Sequence, residues 1–200
     1  MVDNWEIIKP LLKFDNKEEF YFLQVIQRKK DFEPGQQRLG RNNNNRLIKA
    51  YYIYNLEYFD FIKNEVVKLC NLFNARAGIN LNRRNDKDVA LKCLEILAIS
   101  LRKNDEFSGV SKIYNSACGK ENSTDKLWLV DIDTKEESEI ENVEYIIGLC
   151  EPIQEESKII AKIPTKSGVH LITKRFNRQT FSSYRPEEIH TNNPCNLFIP

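Results

Sequence analysis

Apolar residues along this chain alternate between two spacings, and the switches between them outline the elements. Phe20 to Ile26 is dominated by aromatic and β-branched residues and reads as a strand. Gln27 to Asn45 is polar, contains Pro34-Gly35, Gly40 and a run of asparagines, and reads as a mobile loop. Leu47 to Tyr54 is the return strand of that hairpin. From Leu56 to Phe73 the spacing becomes helical, with Phe59, Ile62, Val66, Leu69, Cys70 and Phe73 on one face. Ala75 to Leu81 is a short strand. Asp86 to Leu101 is a second amphipathic helix, with Val89, Leu94, Leu97 and Leu101 expected inward. A weaker helix is expected over 108–117.

Leu127 to Ile132 is almost wholly apolar, as a strand covered on both faces should be. A helix over 137–149 follows. Strands at 158–163 and 168–173 flank the turn Pro164-Thr165-Lys166-Ser167, and a last short strand lies at 197–199. Strands alternating with helices, plus hairpins, predict an α/β (α+β) protein with a mixed sheet and helices packed on it. The 200 residues suit one domain able to bury its own core, with residues 1–55 as an N-terminal hairpin elaboration.

Composition narrows the setting. The net charge of +1 excludes a protein that coats DNA through bulk charge, but leaves room for a local groove. No apolar run is long enough to span a bilayer, and the first residues lack the pattern of a signal peptide. The five cysteines are scattered, with no Cys-x-x-Cys pair, and read as free thiols in a reducing, cytoplasmic compartment. Charge is uneven locally: residues 27–49 hold seven basic and two acidic side chains. Arg38, Arg41 and Arg46 in that segment are candidates for tracking a phosphate backbone, and Tyr51, Tyr52 and Tyr54 for stacking on bases. An ordinary solvated hairpin has the same appearance. The glutamates from Glu136 to Glu144 read as the solvated face of a helix, Trp128 as core and His190 as structural.

Two short motifs carry chemistry. Asp131 and Asp133 end the most apolar strand, and residues i and i+2 of a strand point to one face. Two carboxylates aimed at one point call for a hard cation, Mg²⁺ or Mn²⁺, which is usually shared with substrate phosphates. A solvated strand end is the plainer reading of such a pair. The second motif is Lys166-Ser167-Gly168-Val169-His170: a glycine that permits close backbone approach, with donors suited to phosphate oxygens.

Taken together, Asp-hydrophobic-Asp at a strand end and Ser-x-x-His opening a later strand about forty residues on resemble the catalytic palm of the archaeo-eukaryotic primase (primase-polymerase) superfamily. The resemblance covers roughly residues 75–175. It implies an RRM-like core in which Asp131 and Asp133 hold Mg²⁺ or Mn²⁺. It also implies that Ser167, Gly168 and His170, with Lys166 and Arg76 beside them, contact the phosphates of a nucleoside triphosphate. His170 joins the two aspartates as a catalytic residue on the same ground. The partners implied are a nucleoside triphosphate and nucleic acid. A stand-alone domain of this kind, without zinc-binding or helicase modules, suits a virus or mobile element. One departure stands out. The family places a third carboxylate on a strand after the histidine, whereas Glu187 and Glu188 lie here in Arg-Pro-Glu-Glu-Ile-His, which reads as a turn or short helix, so either Glu188 serves in an unusual setting, or Asn196 replaces the carboxylate, or the site is catalytically degenerate. Three functions stay open: a nucleotidyltransferase, a non-catalytic nucleotide or nucleic-acid binder that kept the fold, and a metal-dependent nuclease.

Overall fold

A computed structural model describes residues 1–31, 45–102, 110, 112–121, 125–153, 156–185 and 188–200. The strands form two sheets. In the first, β1 (Val2–Asp3), β10 (Cys195–Ile199), β4 (Arg76–Ile79), β2 (Glu19–Arg28) and β3 (Asn45–Ile53) lie in that order, with β5 (Arg84–Asn85) also on β2. In the second the order is β7 (Ile159–Pro164), β8 (Val169–Thr173), β6 (Trp128–Ile132), β9 (Glu188–His190). The helices are α1 (Trp5–Ile8), α2 (Leu56–Phe73), α3 (Asp86–Arg102), α4 (Ile113–Lys120), α5 (Glu137–Leu149) and α6 (Arg178–Tyr184).

The α+β class is the one expected, but the single mixed sheet is two sheets whose described pairings are all antiparallel. The helical crossovers explain the difference. Helix α5 returns the chain so that β6 and β7 run the same way, and β8 folds back between them. Helix α6 does the same for β8 and β9, with β6 between. The result is a split βαββαβ sheet in the order β9-β6-β8-β7, the ferredoxin-like arrangement.

Strand β2 is covered on both sides, which is why it reads as almost continuously apolar. Tyr21, Leu23 and Val25 join a core with Phe59, Ile62, Val66 and Cys70 of α2. Phe20 and Phe22, on the opposite face, pack with Val89 of α3 and Ala117 and Cys118 of α4. Asn55 caps α2 by accepting a hydrogen bond from the Tyr58 N–H at 2.7 Å, and Asn74 ends it in the left-handed conformation at φ 44°. Helix α3 departs from expectation. Val89 points inward, but Leu94 and Leu101 are 62% and 49% exposed.

The second sheet divides its apolar residues between two cores. Val130, Ile132, Val169 and Leu171 pack under α5 and α6 with Val143, Ile147 and Phe181. Leu129, Ile163 and Ile172 face the other way and join the core of the first sheet. Asn4 fastens the junction. Its side-chain amide donates to the carbonyls of Pro164 on β7 and Asn196 on β10, each at 2.8 Å.

Gly168 sets a tight contact at the entry to β8. A Cβ there would lie 1.8 Å from the carbonyl oxygen of Ile132 and 2.8 Å from the Thr134 nitrogen. The sequence suggests that this glycine makes room for a ligand. The structure uses the room for the end of β6. Gly168→Ala should therefore destabilise the protein by roughly 3 kcal/mol or more, since backbone must move to admit the methyl group. Gly148→Ala, within α5 and with nothing among the described residues within 4 Å of the new atom, should instead stabilise by about 0.5–1 kcal/mol. Urea denaturation of the two variants against wild type measures both.

Candidate active-site cleft

Beyond the shared apolar core the two sheets present polar side chains to a cleft of about 530 Å³. Asp131 is the centre of the register. It lies directly opposite His170 on β8 and opposite Glu188 on β9. Residues directly opposite across a pair of strands share a face, so all three side chains enter the cleft. His170 Nε2 stands 3.4 Å from Asp131 Oδ1. His190, two residues along β9, also lines the cleft, with Nε2 3.6 Å from Glu188 Oε2. Asp133, just past the end of β6, accepts a hydrogen bond from Ser167 Oγ at 3.2 Å.

The electrostatics follow from this crowding. Asp131 is half-buried, which disfavours its charge, yet its carboxyl is held below the ordinary carboxylate range. The hydrogen bond with His170 is the main cause, helped by the charges of His170, His190 and Arg28. The imidazole of His170 is itself buried, and among the described residues its Nδ1 has no hydrogen-bond partner. Asp133 and Glu188 are exposed.

The first sheet supplies the opposite wall. Gln24, Ile26 and Arg28 alternate along β2 and face the cleft with Arg76 of β4 and Asn196 of β10. Arg76 spends its fork on Asp31, with Nη2 to Oδ1 at 2.7 Å and Nε to Oδ2 at 3.1 Å, rather than on the aspartate pair. Among the described residues no carboxylate stands within 4 Å of the Arg28 guanidinium. Burial lowers its pKa, the charge of Arg76 adds to that, and Asp31 and Asp131 oppose it. Lys166 and Ser167 are exposed on the turn before β8 and line the same cleft.

The structure thus brings Asp131, Asp133, Lys166, Ser167, His170 and Arg76 to one cleft. Gly168 belongs to its frame rather than its lining. Arg46 is elsewhere. It follows the cleft-lining Asn45 directly along β3, so its side chain leaves on the opposite face, and its guanidinium lies 5.6 Å from the ring centroid of Phe73, at the end of α2. Arg38 and Arg41 lie outside the described residues. The tyrosines do not form a stacking platform. Tyr51 is buried in the core, Tyr52 packs with Phe22 and donates to Asn115 Oδ1 at 2.6 Å, and Tyr54 donates to Asp86 Oδ1 at 2.7 Å.

Two site residues were misjudged in the sequence. His190, read as structural, lines the cleft. Glu188, read in a turn or short helix, is on a strand. The pattern Glu188-Ile189-His190 alternates polar, apolar, polar, the period of a half-covered strand. Arg28 was counted only as part of a basic segment, although it follows Gln24 and Ile26 at strand spacing.

The donors here are of the kind a hard cation takes. Asp131, Asp133 and Glu188 offer carboxylate oxygens on one wall. Among the described residues, however, no group of three His, Cys, Asp or Glu side chains is already gathered around one point. That arrangement fits Mg²⁺ or Mn²⁺ held by one or two carboxylates with substrate phosphates completing the shell, and does not fit an all-protein cage. Among the described residues no helix is long and apolar enough to cross a membrane. Comparisons with protein-family models, with curated proteins and with solved structures find no match.

Two outcomes are expected of the carboxylates. A carboxyl with a lowered folded pKa stabilises the protein above the ordinary carboxylate value, and that contribution disappears as pH falls through the folded value. Asp131→Asn should therefore lower the melting temperature near neutral pH, and the gap from wild type should close in acid. Mn²⁺ should raise the melting temperature of wild type but not of Asp131→Asn/Asp133→Asn. Equal shifts in both proteins would count against a metal site.

Proposed function

We propose that this chain is a primase-polymerase-like nucleotidyltransferase that adds nucleotides to a nucleic-acid 3′-hydroxyl. The observation that carries the reading is the position of Glu188. It supplies a carboxylate on a strand after the histidine, directly across from Asp131. The family resemblance asks for such a group, and Glu188 was one of the alternatives the sequence left open for it.

In the reaction, the 3′-hydroxyl oxygen attacks the α-phosphorus of a nucleoside triphosphate, the bond from that phosphorus to the α–β bridging oxygen breaks to release pyrophosphate, and the hydroxyl proton leaves to solvent. A bound Mg²⁺ or Mn²⁺ would neutralise charge on the phosphates and lower the pKa of the attacking hydroxyl. Asp131, Asp133 and Glu188 are the residues that would hold it. Lys166 and the Ser167 hydroxyl, exposed on the turn, are donors for the triphosphate. Among the described residues His170 Nδ1 has no hydrogen-bond partner, while Nε2 faces Asp131, so the imidazole is oriented by that carboxylate. Arg28 brings a positive charge to the opposite wall with no carboxylate among the described residues within 4 Å of it, and is better placed than Arg76 to meet an incoming phosphate.

A second reading is a nucleotide or nucleic-acid binder that does not turn over. It draws on the same contacts: Asp131 is engaged with His170 and Arg76 with Asp31, so two of the charged groups at the cleft already have partners within the protein. Primer extension separates the two. If the enzyme reading holds, wild type will incorporate nucleotides with Mg²⁺ or Mn²⁺. Asp133→Asn and Glu188→Gln will each lower the rate at least about 100-fold, the scale of lost transition-state charge stabilisation. Affinity for the primer-template should change by less than about threefold, because backbone binding comes from basic residues and fades with salt. Binding without incorporation in either metal would favour the second reading. Neither binding nor incorporation by folded protein would sink both.

A further inference from the structure

Helix α3 is apolar on two opposite sides. Val89, Cys93 and Ile96 face the body of the protein, against Phe20 and Phe22. At 3.6 residues per turn, Leu91, Leu94, Ala98 and Leu101 fall on the side directly away from them. Leu91 is 56% exposed, Leu94 62% and Leu101 49%. Their spacing of three, four and three residues is that of a helix–helix seam. Three leucines aligned in water over three turns form an apolar stripe rather than the scattered single residues normal on a surface.

The charges beside the stripe indicate what covers it. Asp88 and Arg102 lie on the same flank of α3, two heptads apart, at its acidic and basic ends. A parallel neighbour of the same sequence would leave Asp88 and Arg102 of the two copies at opposite ends of the pair. An antiparallel one sets Asp88 against Arg102 of the second copy, and the reverse, and also opposes the two helix dipoles. The same register stacks Leu91 on Leu101 of the second copy and Leu94 on Ala98 of the second copy. Glu95 meets its own counterpart near the axis, and each Glu95 is held by its own Lys92 at 2.7 Å. Lys87 stands at the outer end of the stripe, where it reaches solvent.

We infer that α3 is a self-association surface: two copies of this chain pair antiparallel through Leu91, Leu94, Ala98 and Leu101 about a two-fold axis near Glu95. The stripe is short, so the dimer belongs to the weak class of interfaces and forms as concentration rises. The inference does not depend on the chemistry of the cleft.

Sedimentation equilibrium of the full chain over a hundredfold range of concentration tests it. The weight-average mass should climb from 23.5 kDa towards twice that value. Leu94→Glu should stay monomeric throughout. Its melting temperature at low concentration should match wild type, because Leu94 contributes little to the core. Arg102→Asp should weaken association at least about fivefold. The double exchange Asp88→Arg/Arg102→Asp should restore it to within about twofold of wild type. A wild type that is monomeric at every concentration overturns the inference. So does Leu94→Glu that associates as wild type does, or that melts several degrees lower as a monomer. Failure of the double exchange to restore association overturns the antiparallel arrangement.

Discussion

Residues 191–194 carry the chain from β9 of the second sheet to β10 of the first, and the relation between the sheets depends on holding that short crossover still. The grip is polar and buried. The Asn82 side-chain amide donates to the carbonyl of Thr191 at 3.2 Å and to that of Leu127 at 2.9 Å. Asn80 donates to the carbonyl of Asn192 at 3.3 Å. Arg84, fully buried, donates to the Asn192 side-chain oxygen and to the carbonyls of Cys118 and Asn82. Among the described residues no carboxylate pairs with this guanidinium; burying it is costly, and three neutral acceptors offset the cost. Asn82 thereby ties the segment leading into β6 to the segment leaving β9, which holds the Leu129–His190 end of that strand pair and sets the register that places Glu188 opposite Asp131.

The cleft then exists because the apolar surface gives out. Leu129, Ile163 and Ile172 bind the second sheet to the first. Their neighbours on the same face, Asp131 and His170, fall where the sheets no longer meet. One strand thus serves two purposes by its alternation: Leu129 anchors and Asp131, two residues on, is presented. Asn4 and the Gly168 contact close the opposite end of the frame, so the turn bearing Lys166 and Ser167 is positioned by packing against β6 and β10 rather than by its own composition.

Much of this was legible in the sequence, and the reasons for the failures are specific. The strand ending in Asp131 and the hairpin carrying His170 were clear because a fully covered strand is apolar throughout and a turn separates the hairpin strands. Their convergence followed from the motifs and is borne out by the Asp131–His170 register. Strand β9 was missed because three residues leave almost no periodic signal. The partner of Arg76 was missed because Asp31 is 45 residues away and meets it only through the β2–β4 pairing. Leu94 and Leu101 were assigned inward because spacing reports that a helix has an apolar face and does not say what lies against it.

The carboxylates of the cleft differ in how firmly they are mounted. Asp131 and His170 stand on the two central strands of their sheet, paired on both sides. Glu188 stands on a three-residue edge strand paired on one side alone, with its side chain 75% exposed. Opening an edge of that length disrupts few backbone hydrogen bonds, so it belongs to the low end of the local stability range. The site is therefore stiff on the side that orients the imidazole and compliant on the side that completes the acidic set. A ligand that draws Glu188 inward would register as slowed amide exchange at Ile189 and His190 while leaving β6 and β8 unchanged.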